Sequence, residues 1–391
     1  NAYNWPIVVY GSNFYNVQEI MFRNGAGYWF RGINIDAERS TLTSVYCMAM
    51  CGTDLGAQVM PRPTGLFDVH VTAINGLTGV KADAVNLVAG VPPLRPEDVT
   101  IELSNDYKHI IVRWNGPNTV NVWTNAARYY SPFTMVGGTW QSAGASASMP
   151  LILNASGTES LYIHLQDPTG VLDAPYDVGK FDVTLVGGDA ALPGINWVAP
   201  PLNLFDRTLK GTFRNQLTPE AVPPKRDQIQ YQSAFGGATA LSSYDGAGQF
   251  VPYAEFPQDG AGMMVIRKHT GAVKLTFTGW VPTNSFDIGP LPKSDGTASK
   301  VIWLNAMYPA PVNLDASGLG ASGVVTPAAV PPQRDKVFQQ KDGTGIMASY
   351  GNGVWLGAPD IKTLWPGGMF MLEINPAHTG SATNWSSPKP Y

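Results

Sequence analysis

Charged side chains are scarce in this chain: 25 Lys and Arg with 29 Asp and Glu make up 14% of its 391 residues, against roughly 25% in an ordinary soluble domain. A net charge of −4 excludes the basic footprint that nucleic acid requires. No apolar run approaches the ~20 residues with which a helix crosses a bilayer, so no membrane span is expected. Histidine is thin and dispersed, at His70, His109, His164, His269 and His378. A metal site needs three or four converging ligands at short spacing, so these histidines read as solvent-facing and no metal or other cofactor is expected. The nucleophile elbow, the P-loop, H-E-x-x-H and the dinucleotide fingerprint are all missing. The 29 carboxylates leave a glycosidase pair open, since two acids need only meet in space. "DGTG" (Asp342 to Gly345) lacks the alternating acids of a calcium loop and reads as a turn.

Cysteine is nearly absent too. Cys47 and Cys51 are the two in the chain. In an extended strand residues four apart lie ~13 Å from each other, whereas a turn would bring them within disulfide reach. Two readings stay open: a pair of small buried side chains, or a local disulfide. The chain opens with Asn1 and no Met, as a mature form with a removed secretion signal or the ordered part of a longer chain would.

What the chain has instead is turn formers and rings: 42 Gly, 32 Pro, 11 Trp, 16 Tyr and 15 Phe. Many aromatics mean there is a core to bury. With Gly and Pro as frequent punctuation they predict short strands joined by tight turns, an all-β chain. "FDVHVTA" alternates strictly, with Phe67, Val69 and Val71 on one face and Asp68, His70 and Thr72 on the other, the pattern of a half-buried strand. "HIIVRW" places Ile110, Val112 and Trp114 together, and "LYIHLQ" separates Leu161, Ile163 and Leu165 from Tyr162, His164 and Gln166. The run "VPPLRP", with Pro92, Pro93 and Pro96, interrupts any ladder and marks a boundary. From residue 66 to about 125, this order of aromatic strand, turn, proline-rich junction and strand Trp resembles consecutive fibronectin type III-like sandwiches, a pattern shared among immunoglobulin-like folds.

The second half repeats itself. "TPEAVPPKRDQIQYQ" at Thr218 returns as "TPAAVPPQRDKVFQQ" at Thr326, 108 positions later (218 to 326). "APPLNL" matches "PAPVNL" at offset 110, Tyr244 matches Tyr350 and Gly262 matches Gly368 at offset 106, and "HTG" recurs at offset 109. Preserved order with a drifting offset means conserved strands and variable loops. The prolines hold the chain extended between strands. Arg226–Asp227 and Arg334–Asp335 are expected to anchor that crossing by charge-assisted bonds, and Gly262 and Gly368 to serve tight turns. The stretch "YGNGVWLGAPDIKTLWPGGMFML" resembles tandem repeats in secreted surface proteins of planctomycete- and verrucomicrobia-type bacteria, which implies secretion and a surface or structural role, with no known reaction.

The expected architecture is therefore a linear array of about four β-sandwich-like domains: 1–90, 91–188, and two β repeats at 189–283 and 284–391. The expected function is an extracellular structural protein, no enzyme, whose partner is itself in a filament, fimbria or surface layer. The apolar start, Trp5, Pro6, Ile7, Val8, Val9 and Tyr10, is the candidate strand for subunit contact. The alternatives are a secreted carbohydrate-binding or adhesin protein, with Trp355 and Trp365 stacking on polysaccharide and Trp385 in similar surroundings, or a phage fibre or tail component. For the tryptophans, packing in a core is the competing reading. Asn154 and Asn384 open the triplets Asn-Ala-Ser and Asn-Trp-Ser, which fit the glycosylation acceptor pattern.

Overall fold

The structure, a computed structural model, describes residues 3–10, 17–23, 29–36, 44–51, 65–73, 76–87, 95–132, 140–146, 149–213, 216–256, 259–341 and 344–391. It is an all-β chain of antiparallel sheets. Among the described residues, one five-residue helix, α1 (Leu209–Phe213), and two 3-10 turns, Pro223–Lys225 and Pro331–Gln333, complete the regular structure. No helix there is long and apolar enough to cross a membrane. The proline-rich stretch 91–94 and the Asp342–Gly343 turn lie outside the described residues.

The first six strands, β1 (Tyr3–Tyr10), β2 (Val17–Arg23), β3 (Trp29–Asp36), β4 (Ser44–Cys51), β5 (Gly65–Ala73) and β6 (Thr78–Leu87), form one sheet in the order β1-β4-β3-β2-β5-β6. The period-two pattern sends Phe67 and Val69 into a core with Ile20, Phe22, Val45 and Cys47. Strand β1 pairs along its whole length with β4, Tyr3 opposite Cys51 and Tyr10 opposite Ser44. The segment Trp5–Tyr10 thus belongs to its own sheet here, with Val9 packed on the core; the side chains of Trp5, Pro6, Ile7, Val8 and Tyr10 lie outside the described ones. Both cysteines sit in β4, and Cys47 is a free, buried thiol. Pairing with β1 keeps β4 extended, which sets the two four residues, ~13 Å, apart. The local disulfide does not form. Burial pushes the Cys47 thiol up to about 12.

Next come β7 (Glu97–Leu103), β8 (His109–Asn115), β9 (Val120–Asn125), β10 (Gln141–Ser146), β11 (Leu151–Asn154) and β12 (Ser160–Gln166). Sheet β11-β8-β7 packs on β10-β9-β12. Ile110, Val112 and Trp114 share the core with Leu161, Ile163 and Leu165, as the alternation predicts. The Trp114 indole donates to Pro117 O at 2.8 Å, so its burial leaves no polar group unpaired.

The first repeat contains β13 (Val178–Leu185), β14 (Gly194–Val198), β15 (Asn203–Leu204), β16 (Gln228–Gln232), β17 (Thr239–Tyr244), β18 (Phe250–Val251), β19 (Met263–Arg267) and β20 (Val273–Trp280). The second contains β21 (Phe286–Leu291), β22 (Lys300–Leu304), β23 (Val312–Asn313), β24 (Asp335–Lys341), β25 (Thr344–Gly351), β26 (Val354–Leu356), β27 (Thr363–Leu364), β28 (Phe370–Ile374) and β29 (Thr383–Ser387). In each, the first strand pairs with the last, β13 with β20 and β21 with β29. The remaining strands give the orders β14-β19-β16-β17-β18 and β22-β28-β24-β25-β26. Wrapping first to last and second to next-to-last is the jelly-roll arrangement of two Greek keys. The cores correspond residue by residue: Ile229, Tyr244, Val265 and Phe277 in one, Val337, Tyr350, Leu372 and Trp385 in the other.

The repeat begins earlier than the sequence match suggests. Counted by strands it runs 178–280 and 286–387, because its first strand carries no recognisable sequence copy. Strand β13 is also shared. One edge pairs with β12 and the other with β20, so a single sheet crosses the boundary expected at Gly188.

Candidate functional site

The repeated motif builds a staple, twice. Val222-Pro223-Pro224 and Val330-Pro331-Pro332 enter a 3-10 turn with proline at its first positions, where the missing N–H is not needed. Arg226 then reaches back to donate to Glu220 O at 3.0 Å and Ala221 O at 2.8 Å. Arg334 does the same to Ala328 O at 3.2 Å and Ala329 O at 2.7 Å. Each Arg anchors the crossing through backbone carbonyls, while the adjacent Asp turns inward.

Asp227 and Asp335 are fully buried. Asp227 Oδ1 accepts from the Lys268 N–H at 2.7 Å and stands 3.1 Å from His269 Nδ1. Its Oδ2 lies 3.0 Å from Arg267 Nε, out of hydrogen-bond alignment. Asp335 Oδ1 accepts from the Asn375 N–H at 2.7 Å and meets His378 Nδ1 at 2.8 Å, and Oδ2 accepts from the Thr326 N–H at 2.8 Å. The second repeat has Ile374 where the first has Arg267. A carboxylate orienting an imidazole is half of a general-base dyad, yet among the described residues no hydroxyl or thiol bonds to either ring. Both pairs tie strand ends to the staple loop.

Between the repeats lies a seam with two-fold character. The Gln232 carboxamide accepts the Trp303 N–H at 2.9 Å and donates to Val301 O at 2.9 Å. Gln340 accepts the Trp197 N–H at 3.0 Å and donates to Ile195 O at 2.9 Å. Strands β14 and β22 are the outer strands of their sheets, and each shows a free backbone edge to the other repeat. A glutamine amide presents one acceptor and two donors at peptide-like spacing, so each Gln stands in for the missing neighbouring strand. Val198 bridges Gly368 and Leu304 bridges Ala261 in the same reciprocal way, with Ala199 N–H donating to Gly367 O and Asn305 N–H to Gly260 O. Ala199, Trp303 and Met369 fill the centre with Trp197, Met264 and Met371 against them. Residue i touching j while j's equivalent touches i's equivalent is the signature of an isologous contact. Gly262 serves this seam and not a turn: its φ is ordinary, and a Cβ there would lie 2.2 Å from Met369 Cγ.

A third polar cluster joins the sandwich to the repeats. His164, Tyr162 and Gln166 are buried, which corrects the solvent-facing reading: β12 is an interior strand whose second face is covered by Trp140, Tyr130 and Tyr391. His164 Nδ1 lies 2.7 Å from Asp177 Oδ1 and Nε2 lies 3.2 Å from Asp173 Oδ1. Gln166 donates to the same Asp173 oxygen at 2.7 Å and accepts from the Trp123 indole at 2.8 Å. Tyr130 OH donates to Asp177 Oδ2 at 2.6 Å. Burial alone would lower the imidazole, but hydrogen bonds and charge from Asp173 and Asp177 outweigh it and raise His164 to about 9. The "DAPYD" loop, with acids at 173 and 177, was the available signal for this site. His378 is buried as well, against Asp335.

The remaining candidates are scattered. Trp355 is buried against Tyr350. Trp385 is buried in the second core and donates to Ser317 O at 2.7 Å. Trp365 is half-buried beside Tyr129, with the Lys341 ammonium 5.1 Å from its ring. Trp355 and Trp385 thus pack inside and do not form an exposed row with Trp365. Asn154 and Asn384 are both exposed. Among the described residues no three His, Cys, Asp or Glu side chains gather as metal ligands. No protein-family model and no curated protein sequence matches the chain.

Proposed function

We propose that the chain is an extracellular structural subunit that assembles with copies of itself, in the manner of a filament, fimbria, surface-layer or phage-fibre protein. What supports this reading is the use to which the repeat is put. The elements common to both copies are staples, cores and seam, and none converges on a reactive pocket. Jelly rolls occur both in shell-forming proteins and in lectins, so the fold by itself leaves the choice open.

One observation carries the choice. Apolar residues stay exposed at matching register positions of the two outer strand pairs. Leu241 and Met347 are 45% and 47% exposed, and Val251 and Leu356 are 50% and 38% exposed, with Val251 opposite Ser243 and Leu356 opposite Ser349. Singly such residues need no explanation, but a duplicated apolar edge beside two short strands is what repeated intermolecular contact uses. Negative-stain microscopy of purified protein, with light scattering across a concentration series, tests it. Ordered polymers are expected, and Leu241→Lys with Met347→Lys abolishes them while the monomer stays folded. Dispersed monomers at every concentration overturn the proposal.

A further inference from the structure

The sandwich and the first repeat enclose a cleft of about 420 Å³, lined by Tyr107, Lys108, Ser156, Lys180, Asp182 and Lys274 among others. The tip of the β7–β8 hairpin and the turn that crosses between sheets from β11 to β12 form one wall. The β7–β8 turn carries Tyr107 at φ 58, and the β11–β12 turn carries Gly157 at φ 78; Ala155 N–H donates to Lys108 O at 2.8 Å and ties the two turns together. The opposite wall is the start of β20. Loop tips held on a rigid sandwich are where binding residues are usually placed.

The charge in this cleft is unbalanced. Three ammonium groups line it against one carboxylate. Lys180 is buried, and its Nζ donates to Thr158 O at 2.6 Å and Asp182 Oδ2 at 3.0 Å. An ammonium has three donors, which leaves one N–H of a desolvated cation without a protein partner. Lys274 Nζ stands 3.9 Å from the same Asp182 oxygen, and Asp182 Oδ1 is already taken by the Thr276 hydroxyl at 2.8 Å. One carboxylate therefore serves two lysines, and Lys108 is exposed, with Asp106 the acid whose charge it feels and no ion pair to a carboxylate among the described residues.

We infer that this cleft binds an anionic saccharide, its carboxylate or sulfate set between Lys180, Lys274 and Lys108. The rest of the lining favours a sugar over an acidic peptide. Ser156, Thr158, Gln216, Thr276 and Tyr107 line it, with the Thr158 and Thr276 hydroxyls donating to Ala155 O and Asp182 and so open to a ligand as acceptors, while Ala155 and Val273 are the aliphatic contributions, too little to seat peptide side chains. This site is independent of self-assembly, and its success or failure leaves that proposal standing.

The test is isothermal titration of the full-length protein with a carboxylated oligosaccharide (an oligogalacturonate), a sulfated one, a neutral one of equal length, and sodium sulfate alone. At least one acidic oligosaccharide is expected to bind, more weakly as salt rises, and the neutral one is not. The exposed pair Lys108→Gln with Lys274→Gln is expected to weaken binding by ~10-fold or more, as loss of two charged contacts does, with an unchanged melting temperature showing that the fold is intact. Binding that survives in the double variant, equal binding of the neutral sugar, sodium sulfate matching the oligosaccharides, or no binding of either acidic probe at millimolar concentration each overturns the inference.

Discussion

Gln232 and Gln340 perform the same act on opposite sides of one seam: each closes the open edge of the other repeat's outer strand with its side-chain amide. The arrangement is reciprocal but not equal. Gln232 is buried while Gln340 is half-exposed.

That inequality sets a rank order. Gln232→Ala strips partners from Trp303 N–H and Val301 O where water enters poorly, and a buried unsatisfied polar group costs about 1–3 kcal/mol. Gln340→Ala is expected to cost less, because solvent replaces part of what is lost. Gln232→Glu is expected to match or exceed the alanine variant, since a carboxylate has no N–H to give Val301 O. Urea unfolding midpoints measure all three, and equal costs for the two alanine variants would contradict the reading.

Gly262→Ala is expected to destabilise by about 1–3 kcal/mol, the usual range for an added methyl in a full space. Its Cβ would meet Met369 Cγ at 2.2 Å, and Met369 is buried in the seam. Met369→Ala alone opens a void. Combined, the two changes are expected to cost less than the sum of the singles, a coupling that a double-mutant cycle reads directly.

The two buried aspartates separate by the same method. Asp227→Asn removes the charge beside buried Arg267, and an uncompensated buried cation costs about 3–5 kcal/mol. Asp335→Asn strands no buried guanidinium, because Ile374 occupies the matching position; its amide oxygen still accepts from Asn375 N–H, while its NH2 faces the Thr326 N–H and the Lys293 ammonium loses a nearby charge. A thermal melt is expected to fall further for the first variant than for the second.

His164 gives the chain a pH dependence of definite sign. Its folded value, about 9, lies above its ordinary 6.5, so the folded state holds the proton more tightly than the unfolded one. The stabilisation is complete below about pH 6.5 and is lost as pH rises through 9. His164→Asn removes this slope. Melting temperatures from pH 6 to 10 are expected to fall more steeply for the parent protein than for the variant, and parallel curves would show that the imidazole contributes nothing between those limits.

The strands that read well in sequence are those with one wet face. Phe67 and Val69 alternate with polar residues and are placed as expected, as are Ile110, Val112 and Trp114. His164 misleads because its strand is interior: alternation reports two faces and not which of them meets solvent. The repeat was legible where it builds loops, since Pro, Arg and Asp there have few substitutes. It was illegible at β13 and β21, whose apolar residues need only suitable volume. The seam glutamines stood inside the quoted motif all along. Their role was invisible because it depends on where another repeat's strand edge arrives in space.

Sharing of β13 has a mechanical consequence. The strand is held by eight residue pairs to β20 on one side and by four to β12 on the other, so tension entering through the sandwich reaches the first jelly roll along continuous ladders, with no slack linker to absorb it. A protease cut at Gly188 would leave the downstream fragment without its opening strand and with the flank of β20 bare. The two bodies are then expected to yield together under load, in one event.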